Sequence, residues 1–437
     1  MQKIKETALI WFRNDLRSTD HFGLLQATQT YERVVAYFSF DPKFFKKTVW
    51  GFRKTESFRA QFLIETVEQL QKDLAAKNIS LIIDKQSPST GIPLQMEVEK
   101  ITAIYYQEEW TKEEKNIEIE LKNNLSPKIK THSYYDQFLY HPDDQKTIID
   151  ELPEIFTTFR KQCEKKIPVR NCYPTIEIQC KSSYSNKKYK CPTLVDLGLE
   201  EIKPNLNTAF PFKGGSSAAQ KRIIHYFWQS KKLSFYKKTR NGMLGIDYSS
   251  KLSAWLANGS ISARQIYWEV KRYEQEIEKN QSTYWLIFEL LWRDYFKYIA
   301  LKHQNKIFQI GGIFNREYHW KTDLKSFERW IDGKTGEPFV NANMLELKKT
   351  GWMSNRGRQN VASFFSKNLL MDWRMGAAYF ESLLIDYDVH SNYGNWAYVS
   401  GVGNDPRDRK FNISFQAERY DSSGKFQRLW CQQNLFE

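Results

Sequence analysis

Three clusters in the second half of the chain are typed and spaced for chemistry. Tyr284 to Phe296 is apolar almost all round, with Glu289 in its middle. Trp292 follows at i+3 and Arg293 at i+4, so a helix puts all three on one face. A buried carboxylate is costly unless partnered. Two readings follow: a Glu289–Arg293 ion pair inside a buried helix, or a pocket with an indole wall, a hydrogen-bonding carboxyl and a phosphate-binding guanidinium. The second cluster, Asp247 to Ser253 (DYSSKLS), follows Gly242 and Gly245 and precedes a helical pattern. Its hydroxyls and free backbone N–H groups either cap a helix or cradle a phosphate. The third, Asp386 to Trp396, sets Asp386, Asp388 and Asn392 in an aromatic, glycine-containing stretch. That suits either helix termination or a polar ring with several hydrogen-bonding edges.

Two kinds of element must position these clusters. Thr7–Phe12, Val34–Phe38, Ser80–Ile83 and Thr102–Tyr106 read as buried strands, and Phe58–Ala76 has helical apolar spacing. Their alternation predicts a parallel, Rossmann-like α/β sheet covered on both faces, over residues 1–135. No GxGxxG follows the first strand, which argues against an ordinary dinucleotide site there. Residues 136–207 carry six prolines and polar segments such as Ser182 to Lys190, and read as a long connector draped over the surface. Residues 208–437 read as all-helical. The predicted helices are Ser216–Lys231, Ser262–Glu278, Ser282–His303, Leu324–Trp330, Asn341–Thr350, Gln359–Asn368 and Trp373–Tyr387, with Ser262 and Ser282 as N-caps.

The net charge of +14, from 65 Lys+Arg against 51 Asp+Glu, favours a polyanionic partner without choosing among DNA, RNA and an anionic membrane. No apolar run approaches the roughly 20 residues that span a bilayer. The N-terminus lacks an apolar signal core, so a cytoplasmic protein is expected. Cys163, Cys172, Cys180, Cys191 and Cys431 form no CxxC pair, and the seven histidines are dispersed. Scattered reduced thiols and no metal site are expected. Aromatic residues make up 15% of the chain, including 14 Trp. Most must be core, leaving a minority to stack on a ring or carry electrons.

Order and spacing then decide among these readings. Trp11 to Arg17 (WFRNDLR), Gly333 to Phe339 (GKTGEPF), Gly351 to Gln359 (GWMSNRGRQ), Asp372 to Gly376 (DWRMG) and Asn392 to Trp396 (NYGNW) together resemble photolyases and cryptochromes, along essentially the whole chain. Thr239 to Gly242, Asn355 to Ser363 and Gly401 to Arg407 resemble the cryptochrome-DASH branch.

The resemblance implies an antenna domain followed by a helical domain holding FAD in a U-shape. It assigns FAD contacts to Tyr236, Arg240, Ser249, Ser250, Lys251, Leu252, Ser253, Arg358, Asp386, Tyr387, Asp388 and Asn392. Arg358 and Asp386 are expected as a pair beside the isoalloxazine, with Asn392 at flavin N5. Trp320, Trp373 and Trp396 fall where the family's electron-transfer tryptophans lie. Glu289, Trp292, Asn355 and Tyr398 are expected to line the lesion pocket, and Arg293, Arg356 and Arg409 to contact DNA phosphates. Methenyltetrahydrofolate is the expected antenna. Glu109 is its expected carboxylate contact, with register against Glu108 and a solvated acidic loop left open. The implied activity is blue-light repair of cyclobutane pyrimidine dimers, preferentially in single-stranded DNA. Tyr398 stands where duplex photolyases carry a second Trp, and a less well-braced pocket favours strands from which a base leaves at low cost. An ordinary duplex photolyase and a signalling cryptochrome without repair are the alternatives. The chain's end at Glu437 and its Glu289 and Trp292 weigh against the signalling reading.

Overall fold

The computed structural model describes residues 4–145, 151–175, 189–405 and 407–432. Cys180, most of Ser182 to Lys190, and Pro406 lie outside the described residues.

Five strands, β1 (Ile4–Trp11), β2 (Tyr31–Ser39), β3 (Leu81–Asp84), β4 (Ile101–Gln107) and β5 (Lys130–Tyr134), form one parallel sheet in the order β3-β2-β1-β4-β5. Side chains alternate across it. Ala8 and Ile10 of β1 pack with Leu24 and Ala27 of α1 (Phe22–Thr30) and with Val67, Leu70 and Leu74 of α2 (Ser57–Ala75). Leu9 and Trp11 face the other way, toward Ile92 of α3 (Pro88–Glu99) and Ile117 and Leu121 of α4 (Lys112–Asn124). Two covered faces explain why Ala8 to Trp11 of β1 read as an unbroken apolar run. Strand β5 escapes sequence patterning because Lys130 to Ser133 are exposed at a sheet edge. The strand order reverses between β1 and β4, and at such a point a crevice opens at the carboxyl ends of the strands.

Among its described residues, the first half of the connector is packed into the core rather than draped over the surface. It contains α5 (Phe156–Lys166), whose Phe156, Phe159 and Cys163 form one buried face. Phe138, Leu139, Tyr140, Leu152, Ile167 and Val169 join the same core as the helical domain. The prolines hid this: the apolar residues recur at helical spacing only within one short segment.

The remaining helices are α6 (Ser216–Ile223), α7 (Tyr236–Thr239), α8 (Ser253–Ala257), α9 (Ala263–Glu276), α10 (Gln281–His303), α11 (Leu324–Ile331), α12 (Pro338–Thr350), α13 (Asn355–Ser363), α14 (Trp373–Leu383), α15 (Val389–Ser400), α16 (Ile413–Tyr420) and α17 (Lys425–Cys431). Helices α6 and α13 continue into π-helical turns, Ile224–Gln229 and Phe364–Asn368. Ser262 caps α9 in a reciprocal capping box. Ser282 does not cap α10. Asn280 does, because its side chain reaches two backbone N–H groups, those of Ser282 and Thr283.

Buried ions bolt the sheet domain to the helices. Arg264 of α9 reaches Asp20 and Asp136, each at 2.8 Å, and Arg17 reaches Asp136 at 3.1 Å. All four residues are at most 2% exposed, so each charge requires its partner. Among the described residues, no helix is long and apolar enough to cross a membrane, and no cluster of His, Cys, Asp and Glu could hold a metal ion. Among the described residues, Cys163, Cys172, Cys191 and Cys431 form no disulfide.

Candidate active site

A cavity of about 820 Å³ opens in the helical domain. One wall is the Asp247 to Ser253 segment, and a residue outside the sequence motifs shapes it. Arg222 of α6 is buried and wraps the segment from behind. It donates to the carbonyls of Ile246, Ser249 and Ser250 at 2.9 to 3.1 Å and pairs with Asp247 at 2.6 Å. An Arg in an ordinary helical pattern gives no sequence signal of this role.

The opposite wall is the Asp386 to Asp388 turn and the first turns of α15. Arg358 pairs with Asp386 at 2.9 Å, and the Ser253 hydroxyl donates to the same carboxylate at 2.7 Å. The expected Arg358–Asp386 contact therefore forms, and Ser253 ties it to the facing loop. Tyr236, Arg240, Ser249, Ser250, Lys251, Leu252 and Asp388 also line the cavity. Tyr387 and Asn392 line a side chamber of about 80 Å³ that shares Arg358 and Asp386 with it. Asn392 donates its Nδ2 to the Ala377 carbonyl at 2.9 Å, which leaves Oδ1 as its remaining acceptor. Tyr387 also faces a second cleft, beneath the Arg59 guanidinium.

The residues present fit a dinucleotide such as FAD. The volume lies within the roughly 300–1,000 Å³ usual for cofactor sites. Arg293 Nε, Arg356 Nε and Lys251 Nζ, all on residues lining the cavity, are buried without a hydrogen-bond partner. Unmet N–H donors suit a ligand rich in acceptor oxygens and ring nitrogens. Burial pushes the Lys251 amine well below its ordinary range.

At the other end stand Glu289, Trp292, Asn355 and Tyr398. Trp292 stacks on Phe156 at 3.7 Å and meets Tyr398 edge-on at 6.0 Å. The Glu289–Arg293 pair is not formed. Glu289 instead ion-pairs with Arg240, which joins this pocket to the loop side of the cavity. Burial raises the Glu289 carboxyl above its usual range against the pull of Arg240. Arg293 lines the cavity, and two of its guanidinium nitrogens donate to the carbonyls of Gln137 in the connector and Leu256 of α8, the latter at 3.1 Å, which leaves Nε as its unpartnered donor. Arg356 and Arg409 do border the cavity. Arg356 bonds Gln359 at 2.9 Å and lies over the Tyr420 ring, and Arg409 pairs with Asp405 at 3.5 Å.

Two of the three tryptophans are buried and the third reaches the surface. Trp396 lines the side chamber and is 2% exposed, Trp373 is fully buried, and Trp320 is half-buried. Gly376 of α14 seats Trp396: a Cβ there would come within 2.3 Å of the indole. Trp373 is fixed by donation of Nε1 to the Ile310 carbonyl at 3.0 Å. Lys321, next to Trp320, exchanges backbone hydrogen bonds with Leu370 and Asp372, which lace that segment to the start of α14.

The second cleft, of about 170 Å³, lies at the switch point of the sheet. It is walled by residues after β1 and β4 on one side and by Lys297, Tyr387 and His390 on the other. Glu109 lines it and is 2% exposed, so it is no solvated loop. Asn14, Gln107 and Gln137 donate to it at 3.0 to 3.5 Å. Glu108 instead turns outward to Ser133. Sequence reasoning missed Lys297 and His390, because a lysine in an apolar helix and an isolated histidine carry no motif.

Residues 285–434 match the FAD binding domain of DNA photolyase, and residues 8–176 match the DNA photolyase family. A cryptochrome DASH from Gloeobacter violaceus is 47% identical over 97% of this chain and 85% of its own length. One from Danio rerio is 44% identical over 97% of this chain and 82% of its own. The crystal structure of a Synechocystis cryptochrome, 45% identical, superposes with a TM-score of 0.93 over 98% of this chain and 89% of the other. The chain belongs to the cryptochrome DASH branch of the DNA photolyase family, with a sheet domain followed by a helical FAD-binding domain.

Proposed function

We propose that this protein is a deoxyribodipyrimidine photolyase of the DASH type, repairing cyclobutane pyrimidine dimers preferentially in single-stranded DNA under blue light. One observation carries the reading: a single cavity joins the Glu289, Trp292 and Tyr398 pocket to the Arg358–Asp386–Ser253 bridge. A lesion and a cofactor would meet there without protein between them. FAD, when bound and reduced, supplies an excited electron to the dimer and recovers it after the ring splits.

The chain's residues provide the rest. Glu289 hydrogen-bonds the damaged bases and stabilises charge developing on them. Trp292 and Tyr398 flank the dimer, and Asn355 borders it. Asn392 Oδ1, as an acceptor, holds a proton at flavin N5. The backbone and hydroxyls of residues 249–253, with Tyr236 and Arg240, bind the phosphates and ribityl chain. Trp320, Trp373 and Trp396 pass electrons inward when the cofactor must be reduced by light. Arg356 and Arg409 at the rim meet the DNA backbone, which carries no sequence information.

The pocket is braced on one side by Tyr398 rather than by a second indole. Extracting a dimer from a duplex costs a few kcal/mol, and less from a single strand. The second cleft, with buried Glu109 beside apolar rings, is the antenna site for 5,10-methenyltetrahydrofolate. A cytoplasmic setting suits cysteines that form no disulfide among the described residues.

The test is repair of one defined dimer in matched single-stranded and duplex oligonucleotides by reduced protein, with dark controls. Faster repair of the single strand is expected. Equal repair of both would make the protein an ordinary duplex photolyase. No repair by protein holding reduced FAD would leave a blue-light receptor.

A further inference from the structure

Between the antenna cleft and the central cavity the wall is one side chain thick. Asp388 lines both spaces. Lys297 of α10 faces the cleft, is 3% exposed, and donates to Asp388 Oδ2 at 2.9 Å. The other Asp388 oxygen accepts the Ser391 backbone N–H at 2.8 Å and caps α15. Lys297 Nζ also lies 3.1 Å from His390 Nδ1. An ammonium can only donate, so Nδ1 accepts and the imidazole proton sits on Nε2. That nitrogen is buried with no partner, and the ring packs on Trp110 at 4.7 Å. Trp110 Nε1 in turn donates to the Lys297 carbonyl at 3.1 Å. One ammonium is thus shared between a carboxylate that borders the cavity and an imidazole that borders the cleft.

We propose that Lys297 is a positioning residue that makes the two ligand sites cooperative. An acceptor atom on a ligand in the cleft competes for the Lys297 ammonium and loosens its hold on Asp388. The freed carboxylate then accepts more strongly from N–H or O–H donors of the group in the cavity. Occupancy of the cleft therefore tightens the cofactor, and by linkage the cofactor tightens the cleft ligand by the same factor. The inference rests on reading the cleft as the folate site and the cavity as the FAD site. One hydrogen bond changes partner, so the effect belongs at the low end of known couplings, about fivefold.

The experiment follows release of FAD from the full-length holoprotein by recovery of flavin fluorescence. It is run with and without saturating 5,10-methenyltetrahydrofolate, whose own binding is read by near-ultraviolet absorbance. FAD release about fivefold slower with folate is expected, since affinity changes appear mainly in off-rates. Lys297→Met should erase the difference. Because it leaves Asp388 buried without its cation, the double variant Lys297→Met/Asp388→Asn serves as a second form, and the difference should vanish there too. Folate binding with unchanged FAD release in the wild type overturns the coupling and leaves the cleft assignment standing. A difference that persists in either folded variant removes Lys297 from the role. Absence of folate binding overturns the cleft assignment and the coupling together.

Discussion

The central cavity and the interdomain cleft treat charge in opposite ways. In the cavity wall, Lys251 Nζ, Arg293 Nε and Arg356 Nε are buried without partners. In the cleft, Lys297 already holds Asp388, and Glu109 already receives amides from Asn14, Gln107 and Gln137. A site with unmet cationic donors gains much from an anionic ligand and is incomplete without one. The unmet groups of the cleft are mainly neutral or acceptors, Asp41 Oδ2, Gln107 Oε1 and His390 Nε2 beside Arg293 Nε, so it gains less from an anion. On the proposed function, the cavity is then the obligate site and the cleft the accessory one.

Substitutions can break or sharpen that contrast. The largest effect should come from Trp373→Phe, which interrupts the indole series while the cavity keeps its shape. Photoreduction of bound FAD should nearly stop with FAD content unchanged, as followed by flavin absorbance under blue light. Unchanged photoreduction would remove Trp373 from the chain. Arg222→Met should come next. It strips several charge-assisted bonds from the cofactor loop, each worth about 1.5–3 kcal/mol, so FAD affinity should fall about 100-fold or more. Equilibrium dialysis, with circular dichroism as a check on folding, would measure it, and native affinity would refute the loop's role.

Glu289→Ala should lower repair quantum yield about tenfold, the loss of roughly one strong hydrogen bond, with much less effect on FAD content. Full repair in that variant would dismiss the carboxylate. Glu109→Gln should weaken methenyltetrahydrofolate by about tenfold or less, as one charge-assisted bond becomes neutral. Repair driven by direct flavin excitation should not change, which separates the accessory site from the obligate one.

A last effect bears on stability rather than on either ligand, and concerns pH. Burial pushes the Glu346 carboxyl from 4.5 up to about 8, with Lys251 and Arg358 pulling the other way. A folded-state value above the unfolded one means the native protein favours the protonated acid. Stability from this group is complete below about 4.5 and is lost as pH rises through about 8. Glu346→Gln should flatten the decline of Tm across that window, and an unaltered profile would count against it.

Legibility differed between these regions for physical reasons. The cavity is built from residues clustered in sequence, so Asp247 to Ser253, Glu289 with Trp292, and Asp386 to Asn392 stood out as motifs before the fold was known. What supports them did not. Arg222 acts through backbone carbonyls more than 20 positions away, and carbonyls carry no residue signature. The Glu289–Arg293 spacing suits a pair, yet long-range packing gives Glu289 to Arg240 and Arg293 to the carbonyls of Gln137 and Leu256. Buried Glu109 could not be told from Glu108 by pattern, because two adjacent residues after a strand differ only in which way they point. Polar β5 was invisible because an edge strand needs no apolar alternation.

The bolt between the halves sets an order of events at the ribosome. Asp20 and Asp136 emerge early, and Arg264 follows Asp136 by 128 residues. At about 5–20 residues per second, the wait is on the order of ten seconds. During that time Asp136 has Arg17 as a partner but Asp20 lacks its ion pair, so the docking face of the nascent sheet domain stays hydrated there. The sheet can form on its own schedule, but it can be closed only by the helix that carries Arg264.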